Sequence, residues 1–78
     1  MSKISKLNQA FISSFQIDES QLPGLKYQAI PAWDSVGHMS LISALEESFD
    51  IMIDTDDVID LSSYEKSKEI VEKYGIEL

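Results

Sequence analysis

Ser35 and His38 are the residues of this sequence that could act together in nucleophilic chemistry. They lie three positions apart, so a helix would place them next to each other on its surface. A nucleophile elbow requires a glycine two positions before the serine, where this sequence has Trp33. No third residue is evident that would orient His38, and only the helix itself would offer an oxyanion hole. We therefore predict that the protein is not an enzyme and that His38 is an exposed helix residue.

The acidic segment that begins at Asp54 invites comparison with a calcium-binding loop. An EF-hand loop starting there would place Asp56 third and Glu65 twelfth, as such a loop requires. Its fifth and sixth positions would be Val58 and Ile59, where an oxygen ligand and a glycine are needed. The match fails, and one histidine without cysteine does not provide a zinc site. We predict no metal site, and only weak ion binding by the acidic cluster stays open.

Asp34 and Ser35 are both good helix-capping residues and stand side by side before an apolar-patterned stretch. One cap is sufficient, so one of the two side chains remains free. The backbone N–H groups and the positive dipole end of a helix N-terminus suit a phosphate. Two interpretations of Ser35 follow: it caps the helix, or it is the point at which a phosphate-linked group is attached.

Hydrophobic periodicity predicts the helices that position these residues. A first helix is predicted over about residues 2–15, with Ser2 or Ser5 as its cap. A second helix is predicted from Ser35 to Phe49, interrupted near its start by Gly37. Its predicted apolar face consists of Val36, Met39, Leu41, Ile42, Leu45 and Phe49.

The remaining segments predict a crossover and two further helices. Residues 16–33 contain two prolines and no sustained helical period, which predicts a long crossover with at most one short helical turn. Its expected anchors on the bundle are Ile17, Leu22, Leu25, Tyr27, Ile30 and Trp33. Residues 55–60 are predicted to form a short helix with Val58 and Ile59 inward. The last helix is expected to open with a capping box of Ser62 and Glu65 and to end before Gly75.

These elements predict an all-α fold, a small four-helix bundle of three main helices and one short helix. Seventy-eight residues without cysteine predict a single domain, residues 1–78, too small for a substrate cleft of its own. The sequence has no signal-peptide pattern and no apolar run near the ~20 residues that span a bilayer. We therefore predict a cytoplasmic protein without a membrane partner.

The net charge of −8 is concentrated in residues 34–60, which hold eight acidic residues and no lysine or arginine. Such a field repels nucleic acid and anionic lipid, and it attracts basic protein surfaces. We favour a docking surface for basic partners over the alternative of a merely solvated acidic face. The same charge favours a monomer.

The tripeptide Asp34-Ser35-Val36, followed by an apolar-faced helix that ends in ALEESF, resembles the attachment motif of the acyl carrier protein family. The resemblance covers nearly the whole chain, including the helix order and the distribution of acidic residues. It implies that a phosphopantetheinyl transferase attaches 4′-phosphopantetheine from coenzyme A to Ser35, flanked by Asp34 and Val36. It also implies a carrier, used in pathways such as fatty acid biosynthesis, that holds an acyl or aminoacyl group as a thioester.

Docking of partner enzymes through basic patches is a further implication of this resemblance. The residues expected to contact them are Val36, Met39, Glu46, Glu47, Asp54, Asp56 and Asp57. A cavity for the carried group would be lined by Leu41, Leu45, Ile53, Ile59 and Tyr64, for which ordinary core packing is the alternative.

Four positions depart from the fatty-acid-synthesis members of the family: Trp33, Gly37, His38 and Ser40. Gly37 and Ser40 stand where those members usually have acids, which predicts a specialised carrier for an aminoacyl or short acyl group, or for a polysaccharide or secondary pathway. Gly37 could also let a partner backbone approach. The rival interpretation is a small acidic helical interaction module in which Ser35 is only a cap.

Overall fold

Four α-helices and one short 3-10 turn form the fold of residues 2–78, the part of the chain that this computed structural model describes. The helices are α1 (Lys3–Phe15), α2 (Ser35–Phe49), α3 (Thr55–Asp60) and α4 (Tyr64–Lys73), and the 3-10 turn spans Glu19–Gln21. Residues 2–78 contain no β-strand. The predicted all-α bundle, with a long crossover between its first two main helices, is confirmed.

Local signals fix the bounds of α1 and α2 close to their predicted positions. The Ser2 hydroxyl accepts a hydrogen bond from the Ser5 N–H at 3.2 Å, so Ser2 is the cap of α1. Both helices end in a residue with a left-handed backbone, Gln16 at φ 55° and Asp50 at φ 53°. These two residues turn the chain into the crossover and into the loop before α3.

Trp33 anchors the crossover to α1 at the point where α2 begins. Its side chain is 0% exposed. It stacks on Phe15 with ring centroids 5.2 Å apart and meets the edge of Phe11 at 5.6 Å. Aromatic pairs of this kind contribute about 0.5–1.5 kcal/mol each beyond the burial of their area. The backbone that leads into Asp34 and Ser35 is therefore attached to the core by its immediate neighbour.

The rest of the crossover packs on the bundle as predicted, with one exception. The anchors that are buried or half-buried are Ile17, Leu22, Leu25, Ile30 and Trp33. Tyr27 is 37% exposed, but its N–H donates to the Ser62 carbonyl at 2.9 Å. The Tyr64 N–H donates in turn to the Leu25 carbonyl at 2.9 Å. The crossover is thus joined to the start of α4 by backbone hydrogen bonds.

The predicted capping box of α4 is wrong by one residue. Ser63 is the cap, and its hydroxyl accepts a hydrogen bond from the Lys66 N–H at 3.0 Å. Glu65 does not reach back to the cap but accepts from the Gly24 N–H at 3.1 Å. The reason is tertiary, because the crossover supplies a backbone donor that the sequence pattern does not reveal. Gly75 follows the helix at φ +91°, which agrees with its predicted place after the C-terminus.

The inward faces of α2 and α3 differ from the prediction at three residues. Val36 is 75% exposed and Met39 is 53% exposed, so the buried face of α2 begins only at Leu41. Ile59 of α3 is 76% exposed, and Asp57 is the residue of that helix that is buried. The short α3 is oriented by polar partners of Asp57 on α4 rather than by an apolar stripe.

No helix within residues 2–78 combines the length and the apolar character needed to cross a membrane. A single cluster of buried apolar side chains joins α1, α2, α4 and the crossover.

Candidate functional site

Ser35 is the first residue of α2, and Asp34 is the cap of this helix. One carboxylate oxygen of Asp34 accepts a hydrogen bond from the Gly37 N–H at 2.8 Å. Ser35 is exposed, and within residues 2–78 its hydroxyl has no hydrogen-bond partner. The interpretation in which Ser35 caps the helix is therefore wrong. The hydroxyl is free at the N-terminus of a 15-residue helix.

Gly37 allows the crossover to lie against the first turn of α2. A Cβ atom built on Gly37 would overlap the carbonyl oxygen of Ala32. This close approach brings the backbone before Trp33 onto the helix and fixes how Ser35 is presented. The glycine thus has a reason within the chain itself, which differs from the predicted approach of a partner backbone.

His38 is half-buried and bridges three elements, so the prediction of an exposed helix residue is wrong. Its Nδ1 atom accepts a hydrogen bond from the Trp33 indole Nε1–H at 3.0 Å. Its Nε2 atom lies 2.7 Å from the carbonyl oxygen of Val58 in α3. An indole can only donate and a carbonyl can only accept, so the ring is neutral with its proton on Nε2. Neither nitrogen is left to accept a proton from Ser35, which argues against a serine–histidine pair.

A cavity of about 200 Å³ lies between α2, α3 and the crossover. Its lining residues are Tyr27, His38, Val58, Ile59, Leu61 and Ser62. His38, which lines this cavity, follows Ser35 by three positions on α2, so one lining residue lies about one helical turn from the free hydroxyl.

The predicted cavity lining is mostly ordinary core. Of the five residues predicted to line it, only Ile59 does so. Leu41 and Leu45 are 0% exposed, and Ile53 and Tyr64 are also buried. For these four, the alternative of core packing is correct.

Three exposed apolar side chains lie on α2 and α3, the helices that carry the free hydroxyl and line the cavity. Val36 and Met39 are neighbours on the first turns of α2, and Ile59 extends from α3. Met52, in the loop before α3, is 81% exposed. Exposed apolar groups near a polar rim are typical of surfaces that contact a partner.

The predicted acidic docking residues divide into free and engaged carboxylates. Glu47, Asp54 and Asp56 are exposed. Glu46 is half-buried and accepts from the Ile53 N–H at 2.9 Å, which holds the loop between α2 and α3. Asp57 is 5% exposed and is not available to a partner.

The Asp57 carboxylate is bound instead by α4. Lys73 Nζ lies 2.8 Å and 3.1 Å from its two oxygens, and the Tyr74 hydroxyl donates to it at 2.6 Å. The hydrogen bonds from Lys73 and from Tyr74 hold the pKa of Asp57 below its usual value of 3.8. The same contact with Asp57 raises the pKa of Lys73 above 10.5. These partners lie more than fifteen positions away, and no local sequence signal identifies them.

Among residues 2–78, no group of three or more histidine, cysteine, aspartate or glutamate side chains is placed to hold a metal ion. Comparison with protein-family models, with curated proteins and with solved structures gave no match for this chain.

Proposed function

We propose that this protein is a carrier to which 4′-phosphopantetheine is attached at Ser35. The observation that carries the proposal is the free, exposed hydroxyl at the first position of a 15-residue helix whose cap is already provided by Asp34. Because Asp34 already caps the helix, capping does not account for the serine at position 35. The resemblance of Asp34-Ser35-Val36 to the attachment motif of acyl carrier proteins supports the same assignment.

The attachment chemistry requires only one group from this chain. The Ser35 oxygen forms a bond to the phosphorus of coenzyme A that bears the pantetheine arm. The bond from that phosphorus to the 3′-phospho-AMP part breaks, and the serine proton passes to a base of the transferase. The N-terminal N–H groups and dipole of α2 then lie beside the phosphodiester, where negative charge is favoured.

The residues present fit such a group. Ser35 and its neighbour Val36 are exposed, so a transferase can reach the hydroxyl. When attached, the group supplies a terminal thiol that holds an acyl or aminoacyl unit as a thioester. The chain contains no cysteine, so a thioester on this protein depends on a thiol from outside it.

Partner enzymes would dock on the surface around Ser35. Val36 and Met39 offer apolar contact, and the exposed carboxylates of Glu47, Asp54 and Asp56 attract basic residues. Steering by charge gives fast encounters, which suit a carrier that visits several enzymes in turn. The expected partners are a phosphopantetheinyl transferase and enzymes that load or transfer the carried group. The neutral residues Gly37 and Ser40 favour a specialised carrier over one for general fatty acid synthesis.

Intact-mass measurement tests the attachment directly. The wild-type protein, Ser35→Ala and the matched control Ser43→Ala are incubated with coenzyme A and a broad-specificity phosphopantetheinyl transferase. Ser43 is an exposed serine of the same helix. We expect one added phosphopantetheine on the wild type and on the control variant, and none on Ser35→Ala.

A different result would favour the rival function. If no protein gains mass while the transferase modifies a control carrier, the proposal is wrong. The exposed acidic residues would then indicate a small helical interaction module, and binding to a basic partner would survive the Ser35→Ala substitution.

A further inference from the structure

His38, three positions after Ser35 on α2, is the centre of a chain of hydrogen bonds that runs from the crossover to α3. The imidazole receives the indole N–H of Trp33 on one side and donates to the Val58 carbonyl on the other. It therefore joins the crossover, α2 and α3, and it forms a wall of the cavity together with Val58. Parting α2 from α3 would break the bond to Val58.

Moving α2 away from α3 would leave polar groups without hydrogen-bond partners. Val58 belongs to the last turn of α3, where carbonyl groups lack partners within the helix. His38 provides that partner. The indole N–H of Trp33 is equally dependent on His38, because the tryptophan is 0% exposed and has no access to water. Buried donors and acceptors that lose their partners disfavour the open state.

On the core side of His38, the space is already occupied by packed side chains. Trp33 packs face to face with Phe15 and edge to face with Phe11, and Leu61 beside the cavity is 1% exposed. The cavity itself, at about 200 Å³, is smaller than the ~300–1,000 Å³ of pockets that enclose a drug-sized ligand. It has room for a small group but not for a long alkyl chain.

We propose that His38 is a specificity-determining residue that keeps the carried group out of the core, which suits the carrier to short acyl or aminoacyl units that need no apolar shelter. This inference rests on the proposed attachment at Ser35. The imidazole, held by the Trp33 indole and the Val58 carbonyl, leaves the chain no path inward, so short and long units alike stay outside the core. The carrier then presents its load to partner enzymes without first releasing it from the interior.

The test compares carried groups of increasing length. Acetyl, hexanoyl and dodecanoyl phosphopantetheine are transferred from the corresponding coenzyme A thioesters onto the wild type, onto His38→Ala and onto the control Ser43→Ala. Ser43 is an exposed residue of the same helix and lies outside the proposed docking surface. Two quantities are measured: the rate of thioester cleavage by hydroxylamine, and the shift of the amide NMR signals of the core residues Leu45 and Val71.

For the wild type and Ser43→Ala we expect cleavage rates independent of chain length and unshifted core signals. In His38→Ala we expect the dodecanoyl thioester to be cleaved at least about fivefold more slowly than in the wild type. Without the imidazole the chain can enter the core, which shelters the thioester from water. A dodecanoyl chain that is protected, or that shifts core signals, in the wild type would overturn the inference. The wild-type arm can overturn the inference even if His38→Ala does not fold. A folded His38→Ala that leaves the dodecanoyl thioester unprotected would overturn it as well, because the imidazole would then not be what excludes the chain.

A second variant separates this inference from the proposed function. If the transferase does not modify Ser35, the proposed function fails, and Ser35→Cys provides the only cysteine of the chain. Alkylation with iodoacetamides that bear hexyl or dodecyl chains then probes the wall directly. Unshifted Leu45 and Val71 signals with both chains support the closed wall, and shifts with the dodecyl chain overturn it.

Discussion

Helix α3 is held on its two sides by contacts of opposite character. Toward α2, the Val58 carbonyl receives a hydrogen bond from a neutral imidazole. Toward α4, Asp57 is held by the ammonium group of Lys73 and the hydroxyl of Tyr74. A six-residue helix with little apolar burial depends on both contacts. The contact on the side of the candidate attachment site thus joins uncharged groups, whereas the contact on the side of α4 includes an ion pair that depends on the ionisation of Asp57.

Replacement of Trp33 by alanine is expected to cause the largest loss of stability. It removes the residue that holds His38, and with it the uncharged contact between α2 and α3. The substitution leaves a cavity between α1 and α2 and deprives His38 of its donor. We expect the free energy of unfolding to fall by about 3–5 kcal/mol. Urea unfolding followed by circular dichroism measures this, with the half-exposed Tyr27→Ala as control. A smaller loss for Trp33→Ala than for Tyr27→Ala would contradict the assignment of Trp33 as the anchor.

Gly37→Ala adds a single methyl group and tests the close contact between the crossover and the first turn of α2. Helix propensity alone predicts a gain of about 1 kcal/mol for this change. The overlap with the Ala32 carbonyl predicts the opposite, a loss of about 1–3 kcal/mol, since the crossover must move away from α2.

The matched control for Gly37→Ala is Ser40→Ala, an exposed position of the same helix, where we expect a change within about 0.5 kcal/mol. Urea unfolding of both variants gives the comparison. If Gly37→Ala stabilises the protein, the crossover does not lie on the helix as described. If it destabilises the protein, the Ser35 modification rate should fall as well, because the same contact presents the serine.

Asp57→Asn removes the ion pair with Lys73, and the contribution of this ion pair to stability should depend on pH. The folded pKa of Asp57 lies below 3.8, so its contribution is complete above that value and disappears as the pH falls through the folded pKa. We expect the wild type to exceed the variant in stability at about pH 6, with the difference shrinking toward about pH 3. Urea unfolding at a series of pH values measures this.

The control for Asp57→Asn is Asp56→Asn, its exposed neighbour, which should change stability little at any pH. A constant difference between the wild type and Asp57→Asn across this pH range would contradict the role of the ion pair. At high pH the complementary loss is expected only above 10.5, where Lys73 loses its proton in the folded state.

The contacts on both sides of α3 could not be predicted from the sequence, because they join residues that are far apart in the chain. Periodicity and capping residues are local, so they located α2 from Ser35 to Phe49 and identified Asp34 and Ser35 as competing caps. The partners of His38 and Asp57 are set by how α3 packs, across twenty and sixteen positions of the chain. Apolar character alone therefore placed Ile59 inward, although it is Asp57 that faces α4.

Removal of the Asp60–Lys66 ion pair is expected to have the smallest effect on stability. This ion pair joins α3 to α4, as the Asp57–Lys73 pair does, so the two can be compared directly. Its atoms lie 3.3 Å apart, but the two side chains are 60% and 36% exposed, so water and salt screen the attraction. We expect Asp60→Asn to lower the free energy of unfolding by about 0.2–1 kcal/mol at low salt and by less at high salt. Urea unfolding at two ionic strengths measures this. A loss as large as that of Asp57→Asn would mean that burial does not distinguish the two carboxylates. A small, salt-sensitive loss would assign the α3–α4 attachment to Asp57.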